Sequence, residues 1–308
     1  PSHFDATKLS NQIEDHRLDI RDADAIAKLV QKIQPDFVFH LAAQALVQLS
    51  YDEPKLTFDT NVAGSVNVLE AVRATSSIRS FIYVTSDKAY KNKEWTWGYR
   101  ENDELGGHDP YSASKAAAEI IFSSYNDSFF SKNKFLGVGT VRAGNVIGGG
   151  DWALDRIIPD CIRSLRTNKP IVIRNPYATR PWQHVLEPLS GYLLLGMKLY
   201  QDPKNYSGAW NFGPNIKSIK TVKELSDKVI HVFGKGELDL QYDKNDNHEA
   251  SILHLNCDKS NSKLSWYPTW DFDATIKRTV NWYICHLNGD DPQDLTMSDI
   301  NEFLKEQK

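Results

Sequence analysis

Two short runs constrain this chain more than anything else in it. DFVFHLAAQ, from Asp36 to Gln44, and SFIYVTS, from Ser80 to Ser86, are continuous apolar stretches rich in β-branched and aromatic residues. A strand with one wet face alternates apolar and polar, so runs of this kind are expected of strands covered on both faces. Between them, Leu56 to Thr75 carries Val62, Val66, Leu69 and Val72 at helical spacing, which predicts a helix with one apolar face. A third run, GVGTVR from Gly137 to Arg142, follows a helix that opens near Pro110. Strand, helix, strand, helix implies right-handed crossovers and a parallel sheet with helices on both faces.

The expected fold class is therefore α/β, a doubly wound parallel sheet of the Rossmann type. Such a domain should begin with a strand, a glycine-rich turn and a helix whose N-terminus holds a pyrophosphate. GNVIGGG, at Gly144 to Gly150, is glycine-rich but comes late and leads into Asp151-Trp152. In the usual strand order, DHRLDI at Asp15 to Ile20 is expected to be strand 3, with strands 1 and 2 and the glycine turn absent. The expectation is a chain lacking a first βαβ unit of roughly 50 residues. After Gly144 the text becomes loop-rich, with helices expected near Asp155 to Asn168, Glu187 to Gln201, Thr221 to Phe233 and, as the last long one, Phe272 to Leu287. Residues 1–144 read as a dinucleotide-binding domain. Residues 145–308 read mainly as a smaller α/β substrate domain, with 171–215 a candidate to return a strand and helix to the first.

Composition excludes several classes of function. The 308 residues are 41% apolar with a formal net charge of −4, and Lys and Arg are scattered, so nothing suggests a nucleic-acid face. No apolar run reaches the roughly 20 residues of a membrane span. Cys161, Cys257 and Cys285 are far apart and read as reduced thiols, which with the lack of a targeting pattern makes cytoplasm the expected compartment. The nine histidines show no ligand spacing, so no metal site is expected.

Tyr111 and Lys115 sit four apart, on one face of a helix that Asp109 caps and Pro110 opens. A phenol beside an ammonium and a cationic nicotinamide ring has its ionised form favoured, which suits a base for a sugar hydroxyl. The spacing alone is weak: Tyr200 and Lys204 share it, but there Pro203 breaks the helix.

The motifs HLAAQ (His40 to Gln44), NVAGSVNVLEAV (Asn61 to Val72), YVTSDKAY (Tyr83 to Tyr90), RENDELGGHDPYSASK (Arg100 to Lys115), RAGNVIGGGDWALDRIIPD (Arg142 to Asp160), IRNPYATRPWQHVLEPLSGYL (Ile173 to Leu193) and WNFGP (Trp210 to Pro214) carry a resemblance. Over about Asp15 to Trp282 the chain resembles the nucleotide-sugar 4,6-dehydratases of the extended short-chain dehydrogenase/reductase superfamily, and within them the branch acting on CDP-glucose. The resemblance implies NAD as cofactor, hydride removal at carbon 4 of the sugar, loss of water across carbons 5 and 6, and return of the hydride to carbon 6. It implies Tyr111 as base for the carbon-4 hydroxyl, Ser86 as its hydrogen-bond partner, Lys115 on the nicotinamide ribose and Asp87 as acid toward the carbon-6 hydroxyl. Where many dTDP-glucose enzymes read Thr-Asp-Glu, this chain reads Ser86-Asp87-Lys88, so Lys88 becomes the expected carbon-5 base, which requires a depressed pKa. A solvated lysine paired with Asp87 is the other reading of Lys88.

Carried over position by position, the cofactor contacts are Asp19, Ile20, Leu41, Ala42, Ala43, Gln44, Asn61 and Thr85, with Tyr111 and Lys115; His40 is read as structural. Asn145, Arg156, Arg174, Arg180, Trp182, His184 and Glu249 are the implied substrate contacts. The arginines suit a diphosphate because a guanidinium grips phosphate oxygens in pairs. Trp95, Trp97 and Tyr99, in the loop Lys91 to Gly107, are either walls of the site or ordinary packing. A homodimer or homotetramer packed through Leu56 to Thr75 and Pro110 to Phe130 is a family expectation. The alternatives are a dehydratase or 4-epimerase for another nucleotide sugar and an inactive dinucleotide-binding scaffold.

Overall fold

The computed structural model describes residues 2–241 and 252–307. Its strands are β1 Phe37–His40, β2 Ser80–Val84, β3 Gly137–Ala143, β4 Val146–Ile147, β5 Ile171–Ile173, β6 Thr179–Pro181, β7 Gln183–His184, β8 Gly208–Phe212, β9 Ile219–Thr221 and β10 Leu238–Leu240. β1, β2, β3 and β8 form one parallel sheet in that order, with Phe37 opposite Ser80, Ser80 opposite Gly137, and Gly139 opposite Gly208. β8 and helix Leu186–Gln201 come from the second half of the sequence.

Alternation along β2 divides the core. Phe81 and Tyr83 pack with Leu69 and Val72 of helix Ser65–Ala74 and with Phe122 of helix Pro110–Ser128. Ile82, between them, joins Val141 of β3 against Tyr192, Leu195 and Leu199 of helix Leu186–Gln201. Each such side chain contributes about 1.5–3 kcal/mol by leaving water, so both faces of the strand are held and the helices cannot swap sides.

A second core forms around Ile158, Ile162, Leu225, Val229, Ile276, Val280 and Tyr283. It joins the helices Ile157–Arg166, Val222–Phe233 and Phe272–Leu287. Three two-stranded pairings, β4 with β7, β5 with β10 and antiparallel β6 with β9, are separate from the large sheet.

Three expectations change. Asp15 to Ile20 is not a strand: it has no ladder partner, and Ile20 instead packs against Gly64, its carbonyl accepting from Asn67 Nδ2 at 2.9 Å. Leu56 to Thr75 is not one regular helix, because a π-turn at Asp59–Gly64 separates helix Pro54–Phe58 from Ser65–Ala74. A helix at Pro292–Glu306 follows the one read as last; Asp291 caps it, and Phe303 is its one buried residue. No helix among the described residues is long and apolar enough to cross a membrane.

Candidate active site

The carboxyl end of β2 is where a parallel sheet exposes loops for chemistry. Beyond Val84 the chain closes into one tight turn, Asp87–Ala89, whose cap is Ser86: the hydroxyl accepts from Lys88 N–H at 3.2 Å and donates to Asp87 Oδ1 at 3.1 Å. Ser86 and Asp87 are 8% and 5% exposed. Burial pushes the Asp87 carboxyl above its usual range, against the opposing pull of Lys88, Ser86 and Arg180. A carboxyl so placed tends to keep its proton and is able to donate it. Gly144 lets this happen at close quarters: a Cβ there would stand 2.7 Å from Pro181 Cγ and 3.2 Å from Asp87 Oδ2.

Helix Pro110–Ser128 brings the second half of the site. Asp109 accepts from Ser112 N–H at 2.9 Å, and Pro110 occupies the first turn. The Tyr111 N–H donates to Ser50 Oγ at 3.2 Å, which fixes the start of the helix against helix Val47–Asp52. The Tyr111 phenol lies near enough to Ser86 for that hydroxyl to act on its pKa. Burial raises its pKa; Ser86 and Arg156 act the other way, while Asp87 and Asp109 add to the rise. Desolvation thus outweighs the charge of Arg156 at this phenol.

Lys115 is 3% exposed and its ammonium stands 6.0 Å from the Tyr111 ring centroid. Burial lowers its pKa to about 8, with Glu119 opposing. Among the described residues it donates no hydrogen bond and forms no ion pair, although most ammonium groups this buried do. A buried cation facing Tyr111 without a protein partner fits a cofactor ribose at that place, which accords with NAD. Asn61 in the π-turn ties the same wall together, accepting from Gln44 N–H at 2.8 Å and donating to Gln44 O and Ser114 Oγ at 2.9 Å each. Leu41, Ala42 and Ala43 lie between β1 and Gln44, and Leu41 is exposed. Asp19 is exposed and gripped by Arg21, whose N–H bonds hold its pKa at about 2. His40 is buried, bonded to Ser65 Oγ at 3.2 Å and stacked on Tyr83, and burial lowers its pKa to about 4.

The implied substrate residues divide. Arg180 is buried on β6 and close enough to Asp87 to act on its charge. Arg156 lies near Tyr111 and donates to Ala45 O at 3.3 Å. Asn145 precedes β4, its carbonyl accepting from Gln183 N–H at 3.1 Å. Arg174 is exposed at the end of β5, in a small sheet rather than above the large one. Trp182 faces the second core, its indole N–H donating to Lys220 O at 3.0 Å. His184 is buried edge-on to Trp270, and burial lowers its pKa to about 3, so it stays neutral. Glu249 lies outside the described residues.

Lys88 is half-buried beside Asp87 and forms no ion pair among the described residues. Tyr99 stacks on Tyr90 and contacts Trp95, all packed with Leu253 and Leu255, while Trp97 is 64% exposed. Packing thus takes two of the three loop aromatics. A buried pair beneath the site went unread in the sequence: Arg142 donates to Glu119 through Nε at 2.8 Å and Nη2 at 2.7 Å. Its only signal is that Glu119 falls four residues after Lys115, on the same helix face.

Residues 2–279 match the GDP-mannose 4,6 dehydratase family model. The chain belongs to that family. The CDP-glucose 4,6-dehydratase of Salmonella typhimurium is 44% identical over 99% of this chain and 86% of its own length. Among solved structures, UDP-glucose 4-epimerase from Thermotoga maritima superposes with a TM-score of 0.77 at 22% identity, covering 88% of this chain and 84% of its own. The NAD complex of dTDP-glucose 4,6-dehydratase from Bacillus anthracis gives 0.71 at 23%, covering 87% and 78%. At these identities the structural likenesses establish the α/β fold of this dehydratase family member.

Proposed function

We propose that this family member is an NAD-dependent hydro-lyase that converts CDP-glucose to its 4-keto-6-deoxy product. NAD, when bound, supplies the redox chemistry, taking the hydride of carbon 4 and returning it at carbon 6. Tyr111 removes the proton of the carbon-4 hydroxyl while Ser86 hydrogen-bonds the same oxygen, and Lys115 holds the cofactor ribose. The ketone at carbon 4 acidifies the carbon-5 proton, which Lys88 takes and gives back to carbon 5 when the hydride returns to carbon 6. Asp87 gives its proton to the carbon-6 hydroxyl, which leaves as water. Arg156 and Arg180 meet the diphosphate.

One observation carries the choice of reaction: the buried Asp87 carboxyl lies one residue from Ser86, the buried serine near Tyr111. A 4-epimerase shares the tyrosine but has no leaving hydroxyl for such an acid to serve. The cytidine base preference rests on the Salmonella relative. Exposed Phe58 and Ile120, at 39% and 58%, support self-association through the Pro54–Ala74 and Pro110–Ser128 segments. The enzyme is then a cytoplasmic homodimer or homotetramer.

The test is incubation of the full-length protein with NAD and, separately, CDP-, dTDP-, UDP- and GDP-glucose, followed by mass spectrometry. Loss of one water from the CDP sugar ahead of the others supports the assignment. An unchanged mass with a new sugar epimer refutes the dehydratase reading.

A further inference from the structure

The two halves of the site come from segments that share no covalent turn: Tyr111 and Lys115 ride on a helix, Ser86 to Lys88 on the end of β2. One buried carboxylate joins them. Glu119, one turn beyond Lys115, is 3% exposed and accepts from the Thr85 hydroxyl, which immediately precedes Ser86. The same carboxylate accepts from Thr140 Oγ1 at 2.9 Å and from Arg142 Nε and Nη2, fastening β3 as well. Arg142 then reaches outward, donating through Nη1 to Tyr90 Oη at 2.7 Å and to Glu101 O at 3.1 Å. Tyr90 donates to Asn211 Oδ1 at 2.8 Å, so the loop after the catalytic turn and β8 hang from the same ion pair.

We infer that Glu119 is a positioning residue: through Thr85 it sets the spacing between Ser86 and Tyr111, and one turn beyond Lys115 it places a buried carboxylate near that ammonium. The first effect follows from geometry. If Thr85 Oγ1 loses Glu119, the strand end keeps its backbone bond to Val141 O at 2.9 Å but loses its tie to the helix, and the separation of Ser86 from Tyr111 widens. The second follows from the surroundings of Lys115. The titratable groups near it are Tyr111 and Glu119 on its own helix and His40 on β1, with Arg142 of β3 on the far side of the carboxylate. Of these only Glu119 favours its charged form. The Glu119 carboxylate itself suffers desolvation, yet Arg142, Thr85 and Thr140 together hold its pKa below the usual range, so it stays anionic.

This inference rests on the oxidation at carbon 4 through Tyr111, and its test separates from that of the reaction. Wild type, Thr85→Val, Thr85→Ser and Glu119→Gln are compared in the full-length protein for kcat, KM, the pH profile of kcat and melting temperature. They are assayed on whichever nucleotide sugar the wild type turns over. Crystals of the Thr85 variants give the Ser86 to Tyr111 separation. Thr85→Val is expected to lose kcat by about 10- to 100-fold, the scale of a misplacement near 1 Å. Its KM should change little, and Thr85→Ser should restore most of the rate. Glu119→Gln should move the alkaline limb of the profile to lower pH, because the group that opposes the desolvation of Lys115 is gone. If Glu119→Gln does not fold, the Thr85 pair decides. Thr85→Val with wild-type kcat and an unchanged Ser86 to Tyr111 separation overturns the inference, as does a loss that Thr85→Ser shares equally. Failure of the wild type to dehydrate any sugar bears on the reaction alone.

Discussion

Gly144 offers a measured handle on the acid. A methyl group there would stand 2.7 Å from Pro181 Cγ and 3.2 Å from Asp87 Oδ2. Carbon atoms settle at about 3.5–4.0 Å, so the proline ring or the Gly144 backbone must retreat by about 0.8 Å. Neither is loose. Pro181 lies in β6 with its register set against Ile219, and residue 144 stands between β3 and β4. The displacement therefore passes to Asp87 and to Arg180 beside Pro181. For Gly144→Ala we expect a loss of about 1–3 kcal/mol of stability from overpacking and a fall in kcat of about 10- to 100-fold from misplacing the acid. Urea unfolding followed by circular dichroism reads the first, and product formation with saturating cofactor and sugar reads the second. Because oxidation at carbon 4 does not need Asp87, transient reduction of the cofactor should survive better than loss of water. Gly144→Ala with wild-type kcat and stability would refute the claim that backbone packing sets the acid.

Tyr111→Phe removes the proton acceptor for the carbon-4 hydroxyl, and kcat should drop by about 10²- to 10⁴-fold, with no transient nicotinamide absorbance in stopped flow. Lys88→Met should abolish exchange of the carbon-5 hydrogen with deuterated solvent while cofactor reduction persists; retained exchange would exclude Lys88 as that base. Glu187 tests the burial of a carboxyl at the start of helix Leu186–Gln201: burial raises its pKa from 4.5 to about 7, against N–H bonds from Thr269 and Trp270. Its folded pKa exceeds the unfolded one, so its stabilising effect is complete below about pH 4.5 and is lost as pH rises through 7, by about 3 kcal/mol. Urea midpoints from pH 5 to 8 should fall for wild type relative to Glu187→Gln, and parallel curves would contradict the burial argument.

What the sequence made legible was local. Tyr111, Lys115 and the Asp109-Pro110 cap lie within seven residues, and the Thr85-Ser86-Asp87-Lys88 turn is contiguous, so helix periodicity and strand ends were enough to find them. Pairings across the sheet were not legible. Glu119 and Arg142 are 23 residues apart, and only the parallel packing of helix and β3 brings them together. Asp15 to Ile20 is expected as a strand only from the usual strand order; a strand exists only with a neighbour to bond, and among the described residues there is none. Trp182 sits among site residues in the sequence, yet the side of β6 and β7 it faces is decided by the second core. The Pro292–Glu306 helix buries Phe303 alone, so its apolar periodicity is faint, although Asp291-Pro292 announced its start.

The most direct measurement follows one atom. CDP-glucose carrying deuterium at carbon 4 is given to the full-length enzyme with NAD, and the product is read by mass spectrometry and NMR. An enzyme in which Tyr111 and Ser86 serve oxidation at carbon 4 and Asp87 serves departure of the carbon-6 hydroxyl must deliver the deuterium to carbon 6 of a product that has lost water. Deuterium still at carbon 4 in a dehydrated product, or back at carbon 4 of an epimer with no water lost, would contradict the account.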